Sequence, residues 1–124
     1  MLVVADYITS HELKPLERYL GIDDVLAGAR KVIKGLGIET KPPCHLSGFR
    51  FYKVRLGGGQ SARMIVFVMV ENQKVVPIII RLKKDKVFGV NMAMNNSVLI
   101  RQINKNLDQV LVDIACKRYR EFDL

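Results

Sequence analysis

Tryptophan is absent from the chain, cysteine occurs twice in 124 residues, and aromatic residues make up 7%. Cys44 and Cys116 stand far apart with no CxxC pair, which excludes a disulfide-stapled mini-domain and a zinc ribbon. Cys44 beside His45 does not make a nucleophile and base, because neighbours in an extended segment point to opposite sides. The two histidines, His11 and His45, have no recognisable partners, and no carboxylate set has the spacing of a metal site; no metal and no cofactor are expected. Long apolar runs are missing too: Met64–Val70, seven residues, is the longest, against the ~20 a membrane helix needs. No Lys or Arg precedes the first apolar residues and Asp6 comes early, so the N-terminus does not read as a signal peptide. The expectation is a cytoplasmic chain with no membrane partner.

Acid is the scarce charge. Twenty Lys+Arg stand against 12 Asp+Glu, a net charge of +8, within an ordinary globular composition of 49% hydrophobic and 26% charged residues. Residues 1–40 carry a net −1, residues 41–86 a net +8 and residues 87–124 a net +1. The whole excess lies in the middle third, which points to one electropositive surface and to a polyanion, most commonly nucleic acid, as its partner. The alternative is a solvated face that keeps the protein in solution.

Periodicity gives an order of elements. Leu2–Ile8 is short, apolar and β-branched, a first strand. Leu13, Leu16 and Leu20 have helical spacing, with Thr9 and Glu12 at capping-box separation, although Pro15 conflicts with a helix begun at Thr9. A second helix reads more cleanly: Asp23 caps it, Val25, Leu26, Ala29, Val32, Ile33 and Leu36 form its stripe, and Gly37 ends it. Pro42-Pro43 imposes an extended link. The period then changes to two, and Phe49–Leu56, Arg63–Val70 and Lys74–Lys83 read as an antiparallel meander, with Pro77 marking an edge or a bulge. Leu99, Ile103, Leu107, Val110, Leu111 and Ile114 restore helical spacing from Asn96 to about Tyr119. The expected fold is α+β, in the order β-α-α-β-β-β, with helices on one face of the meander sheet. Residues 1–95 form the main domain, and residues 96–124 a long C-terminal amphipathic helix packed on it.

Strand alternation sorts the cations. In Phe49–Leu56 one face takes Tyr52, Val54 and Leu56, the other Phe49, Phe51, Lys53 and Arg55. The second face joins cations to aromatics, a surface suited to phosphates and stacked bases. The meander can bring Lys53, Arg55, Arg63, Arg81 and Lys83 to one side, with Lys84 and Lys86 following. Gly57-Gly58-Gly59 lacks the Gly-Lys-Ser/Thr of a P-loop and reads as a hairpin turn.

His45-Leu46-Ser47-Gly48, then Tyr52-Lys53-Val54-Arg55-Leu56, a short Gly-rich loop and Ala62-Arg63-Met64-Ile65-Val66-Phe67 together resemble the RelE/ParE superfamily of bacterial toxins over roughly residues 2–88. The resemblance implies a type II toxin held by a cognate antitoxin. In the RelE-like branch, that means a metal-independent endoribonuclease acting on ribosome-bound mRNA. By position it makes Lys53, Arg55 and Arg63 the catalytic cations; Phe51, Arg81, Lys83, Lys84 and Lys86, from the strand faces and the basic run read above, are the expected nucleic-acid contacts. Where the family pattern has a late arginine followed by tyrosine or histidine, this chain has Lys84-Asp85-Lys86 and then Phe88. The C-terminal helix, longer than such toxins usually carry, is placed to fill the antitoxin groove or to form a homodimer. The alternatives are a ParE-like inhibitor of gyrase and a non-catalytic basic module that binds nucleic acid or a partner.

Overall fold

Three stretches of alternating or β-branched residues build the centre of the molecule. In a computed structural model, which describes residues 1–41, 48–57, 62–85 and 96–124, they form β3 (Phe49–Leu56), β4 (Ala62–Met69) and β5 (Lys74–Leu82). β3 pairs antiparallel with β4 and β4 with β5, as the meander reading expects. The sheet is wider than that. β1 (Leu2–Ala5) lies parallel to β5, β2 (Ile38–Thr40) pairs with β3, and β6 (Tyr119–Phe122) pairs with β1. The result is a six-stranded mixed sheet in the order β2-β3-β4-β5-β1-β6. Pro77 therefore sits on an interior strand. Beside it the register of β4 and β5 slips by one residue between Ile65 and Val66, the bulge that the proline suggests.

The helical segments start and stop at other residues than the pattern suggests. The first strand ends at Ala5, and the chain enters a continuous helical run: α1 (Asp6–Ile8), a π-helical stretch Thr9–Leu13 and a 3-10 turn Lys14–Leu16 holding Pro15. No capping box forms between Thr9 and Glu12, since both lie inside the run. α2 (Ile22–Ile33) is capped at Gly21, whose N–H donates to Asp24 Oδ2 at 2.9 Å, rather than by Asp23. It ends at Gly35, not Gly37: with φ at +79°, Gly35 takes the left-handed position, and Leu36 N–H and Gly35 N–H bond back to the carbonyls of Lys31 and Val32. α3 (Ser97–Ala115) begins where Asn96 Oδ1 accepts from the N–H groups of Val98 and Leu99. It stops four residues before Tyr119, Lys117 turns the chain at φ 59°, and Tyr119 enters β6.

The core lies on both sides of the sheet. α2 packs against Val54, Leu56 and Met64, and its Gly28 has no room for a side chain against Leu56 and Met64. Yet Phe51, Ile65, Phe67 and Ile79, which point the other way, are also buried. The expected single covered face is thus corrected to two. α3 packs on β5, β1 and α1, burying Leu99, Ile103, Leu107 and Val110. Its last turn is tied down by Asp113, which accepts from Tyr7 N–H at 2.8 Å and from Arg118 Nε at 3.1 Å. That hydrogen bond, with the charge of Cys116 nearby, holds the Arg118 pKa above its ordinary value.

Candidate nucleic-acid interface

The register of β3, β4 and β5 aligns three arginines. Arg55 stands opposite Arg63, and Arg63 opposite Arg81, so three guanidinium groups start from adjacent strands on one face. Lys53 is two residues along β3 on the same side, by the two-residue period. Like charges directly opposite in a sheet oppose pairing by up to about 1 kcal/mol each, so such a row calls for anions beside it.

Anions meet the row at Arg81. Its Nε and terminal nitrogen donate to the two oxygens of Glu12 at 3.2 and 3.0 Å, and Asp85 approaches from the other side at 3.9 Å. Glu12, whose side chain is 1% exposed, also accepts from the backbone N–H of Ile80 at 2.7 Å and from Asn106 Nδ2 at 3.4 Å. Asn106, fully buried in α3, donates to the carbonyl of Ile78 at 2.9 Å and accepts from Gln102. This network serves the edge of β5 beyond the end of the four-residue β1. There the Glu12 carboxylate accepts from Ile80 N–H and the Asn106 amide donates to Ile78 C=O, so both backbone groups are satisfied by side chains.

The other two arginines border a groove. A hollow of about 500 Å³ is lined by Lys31, Leu36, Ile38, Lys53, Arg55 and Arg63, together with Val54. A smaller one of about 50 Å³ adjoins it, between Arg55, Arg63 and Lys83. Lys31, on α2, donates from Nζ to the carbonyl of Arg55 at 3.3 Å, which carries a helix cation to the strand cations. Leu36 and Ile38, 68% and 65% exposed, give the groove an apolar lip. The structure thus gathers Lys53, Arg55, Arg63 and Lys83. Arg81 stands in the same row but is engaged by Glu12 and Asp85, and Lys84 lies over the ring of Tyr19 at 4.7 Å. Lys86 falls outside the described residues, as do Cys44, His45, Pro42-Pro43, Phe88 and the glycines at 58 and 59.

Phe51 is not a stacking platform. It is fully buried, packed against Phe67 with ring centroids 6.2 Å apart, while Phe49 meets the same ring edge-on at 5.2 Å. Along β3 the cover ends between Phe51 and Arg55, so one face of the strand is core at one end and surface at the other. The sequence pattern gives Lys31, Leu36, Ile38 and Glu12 no place at this site: Leu36 reads there as part of the α2 stripe and Glu12 as half of a capping box. Glu12 alone leaves a signal there: it follows Ile8 by four residues, a carboxylate on the buried stripe of a helix. Among the described residues, no group of three His, Cys, Asp or Glu could hold a metal ion, and no helix is long and apolar enough to cross a membrane. His11 stacks on Tyr7, with ring centroids 4.1 Å apart.

Fold and surface together define an α+β protein with a cationic row on a mixed sheet. No protein-family model, no curated protein and no solved structure matches the chain.

Proposed function

We propose that the chain is a toxin of a type II toxin–antitoxin pair that grips ribosome-bound mRNA along the Arg55–Arg63 row and cleaves it without metal. The observation that carries this reading is the cross-strand register of Arg55 with Arg63, with Lys31, Lys53 and Lys83 beside them in adjoining hollows. The order of a strand, helical segments and an antiparallel meander supports it, as do the motif residues quoted above. In such cleavage the RNA 2′-oxygen attacks the adjacent phosphorus, the bond to the 5′-oxygen breaks, and a cyclic phosphate and a 5′-hydroxyl result. Negative charge builds on the phosphoryl oxygens, where two guanidinium groups at fixed spacing each lower the barrier by ~3 kcal/mol. The groove lining holds lysines but no carboxylate, imidazole or phenol among the described residues. Proton transfer therefore falls to Lys53, Lys31 or water, and turnover is expected to be slow.

That same lining favours a second reading, a basic module that binds RNA without cutting it. Expression without a partner separates the two. The toxin reading expects growth arrest, new 5′-hydroxyl ends on messages mapped by primer extension, and relief of both by Arg63→Ala. Harmless expression of soluble wild-type protein counts against it, and arrest with intact messages and blocked supercoiling would move the assignment to gyrase.

A further inference from the structure

We infer that Glu12 is an internal substitute for phosphate on Arg81, which makes Arg81 a positioning residue for the cationic row and not a ligand of the bound backbone. The inference rests on the RNA-binding reading above and corrects one of its contacts. A carboxylate that takes both donors along one edge of an arginine's guanidinium occupies the geometry a phosphate would use there. Glu12 does this with Nε and the terminal nitrogen of Arg81 at 3.2 and 3.0 Å. It is held there by two further donors, Ile80 N–H and Asn106 Nδ2. An incoming phosphate would have to displace an almost fully buried group bound by four hydrogen bonds, while Asp85 stands at the remaining side.

The pairing changes the shape of the field along the row. Glu12 and Asp85 place negative charge at the β5 end of the row, while Lys31, Lys53 and Lys83 border Arg55 and Arg63 at the β3–β4 end. Arg81 directly faces Arg63 in register, and the carboxylate held on its guanidinium lessens the like-charge penalty between the two positions. The π-helical stretch Thr9–Leu13, which carries Glu12, thereby sets the row from behind.

The test is a titration of the ¹⁵N-labelled protein with a ten-nucleotide oligouridine, read at the arginine Nε–H resonances. Arg55 and Arg63 shift and Arg81 stays in place; in Glu12→Gln, Arg81 shifts as well. In parallel, Arg81→Met leaves the slope of log affinity against log salt unchanged. Arg63→Ala lowers it by about 0.7, or roughly 2.6-fold over a fourfold range of salt. An Arg81 resonance that moves with Arg63 in the wild type, or an Arg81→Met slope that falls like that of Arg63→Ala, overturns the inference. Should Glu12→Gln fail to fold, the wild-type and Arg81→Met arms still decide. If the oligouridine does not bind at all, the RNA reading fails by itself. Hydrogen exchange then judges the inference: an Arg81 Nε–H protected relative to Arg55 supports it, and equal exchange overturns it.

Discussion

Replacing Glu12 with alanine removes the centre of the buried network, and the cost follows from what each partner loses. Ile80 N–H, in the core, is left with no acceptor, worth about 1–3 kcal/mol. Arg81, 24% exposed at its side chain, keeps Asp85 at 3.9 Å but loses its two short bonds. Breaking a largely buried pair from one side costs about 3–5 kcal/mol in all. A chain of 124 residues has roughly 6–18 kcal/mol of stability to lose, so the variant is expected to remain folded at 25 °C with a much lower midpoint. At about 4 °C per kcal/mol, the fall in Tm is roughly 12–20 °C. Urea unfolding followed by circular dichroism measures the loss of stability and a thermal melt the fall in Tm, with Glu12→Gln as the control: its amide oxygen still accepts from Ile80, and it loses less. The double change Glu12→Leu with Arg81→Met leaves no charge buried and is expected to recover part of the loss. A loss below about 1 kcal/mol in Glu12→Ala, with an unchanged m-value, refutes the reasoning.

Two further substitutions separate surface from core and test a cap. Phe51→Ala is expected to cost about 3–5 kcal/mol in stability, because the ring is fully buried, while leaving the salt slope of RNA binding unchanged; a stable variant with weakened binding would restore the stacking role. Asn96→Ala removes the acceptor for Val98 and Leu99 N–H at the start of α3 and is expected to lower stability by about 1 kcal/mol in thermal unfolding, with no shift marking the cap as dispensable.

The parts legible in the sequence are those whose pattern is local. Phe49–Leu56 alternates strongly enough to place β3 residue for residue, and the stripe from Val25 to Val32 marks α2. What was missed depends on distant partners. β2 and β6 have three and four residues, too few for a periodic signal, and they are strands because β3 and β1 offer them an edge. The apolar stripe points to a helix end near Tyr119 because it shows where a helix is apolar and not where Lys117 turns the chain. Alternation also tells which side Phe51 and Arg55 share, but not that cover ends between them. The same gap hid the fate of Arg81: its charge is visible in the sequence, whereas its carboxylate partner lies 69 positions earlier.

The central claim is that Arg55 and Arg63 form an RNA-binding row. Its most direct measurement is the affinity of a labelled single-stranded RNA from 50 to 400 mM salt, for the wild type, Arg55→Ala, Arg63→Ala and the double variant. A straight log–log line for the wild type is expected, with the slope falling by about 0.7 for each arginine removed. A wild-type slope near zero, or one that neither substitution changes, contradicts the claim.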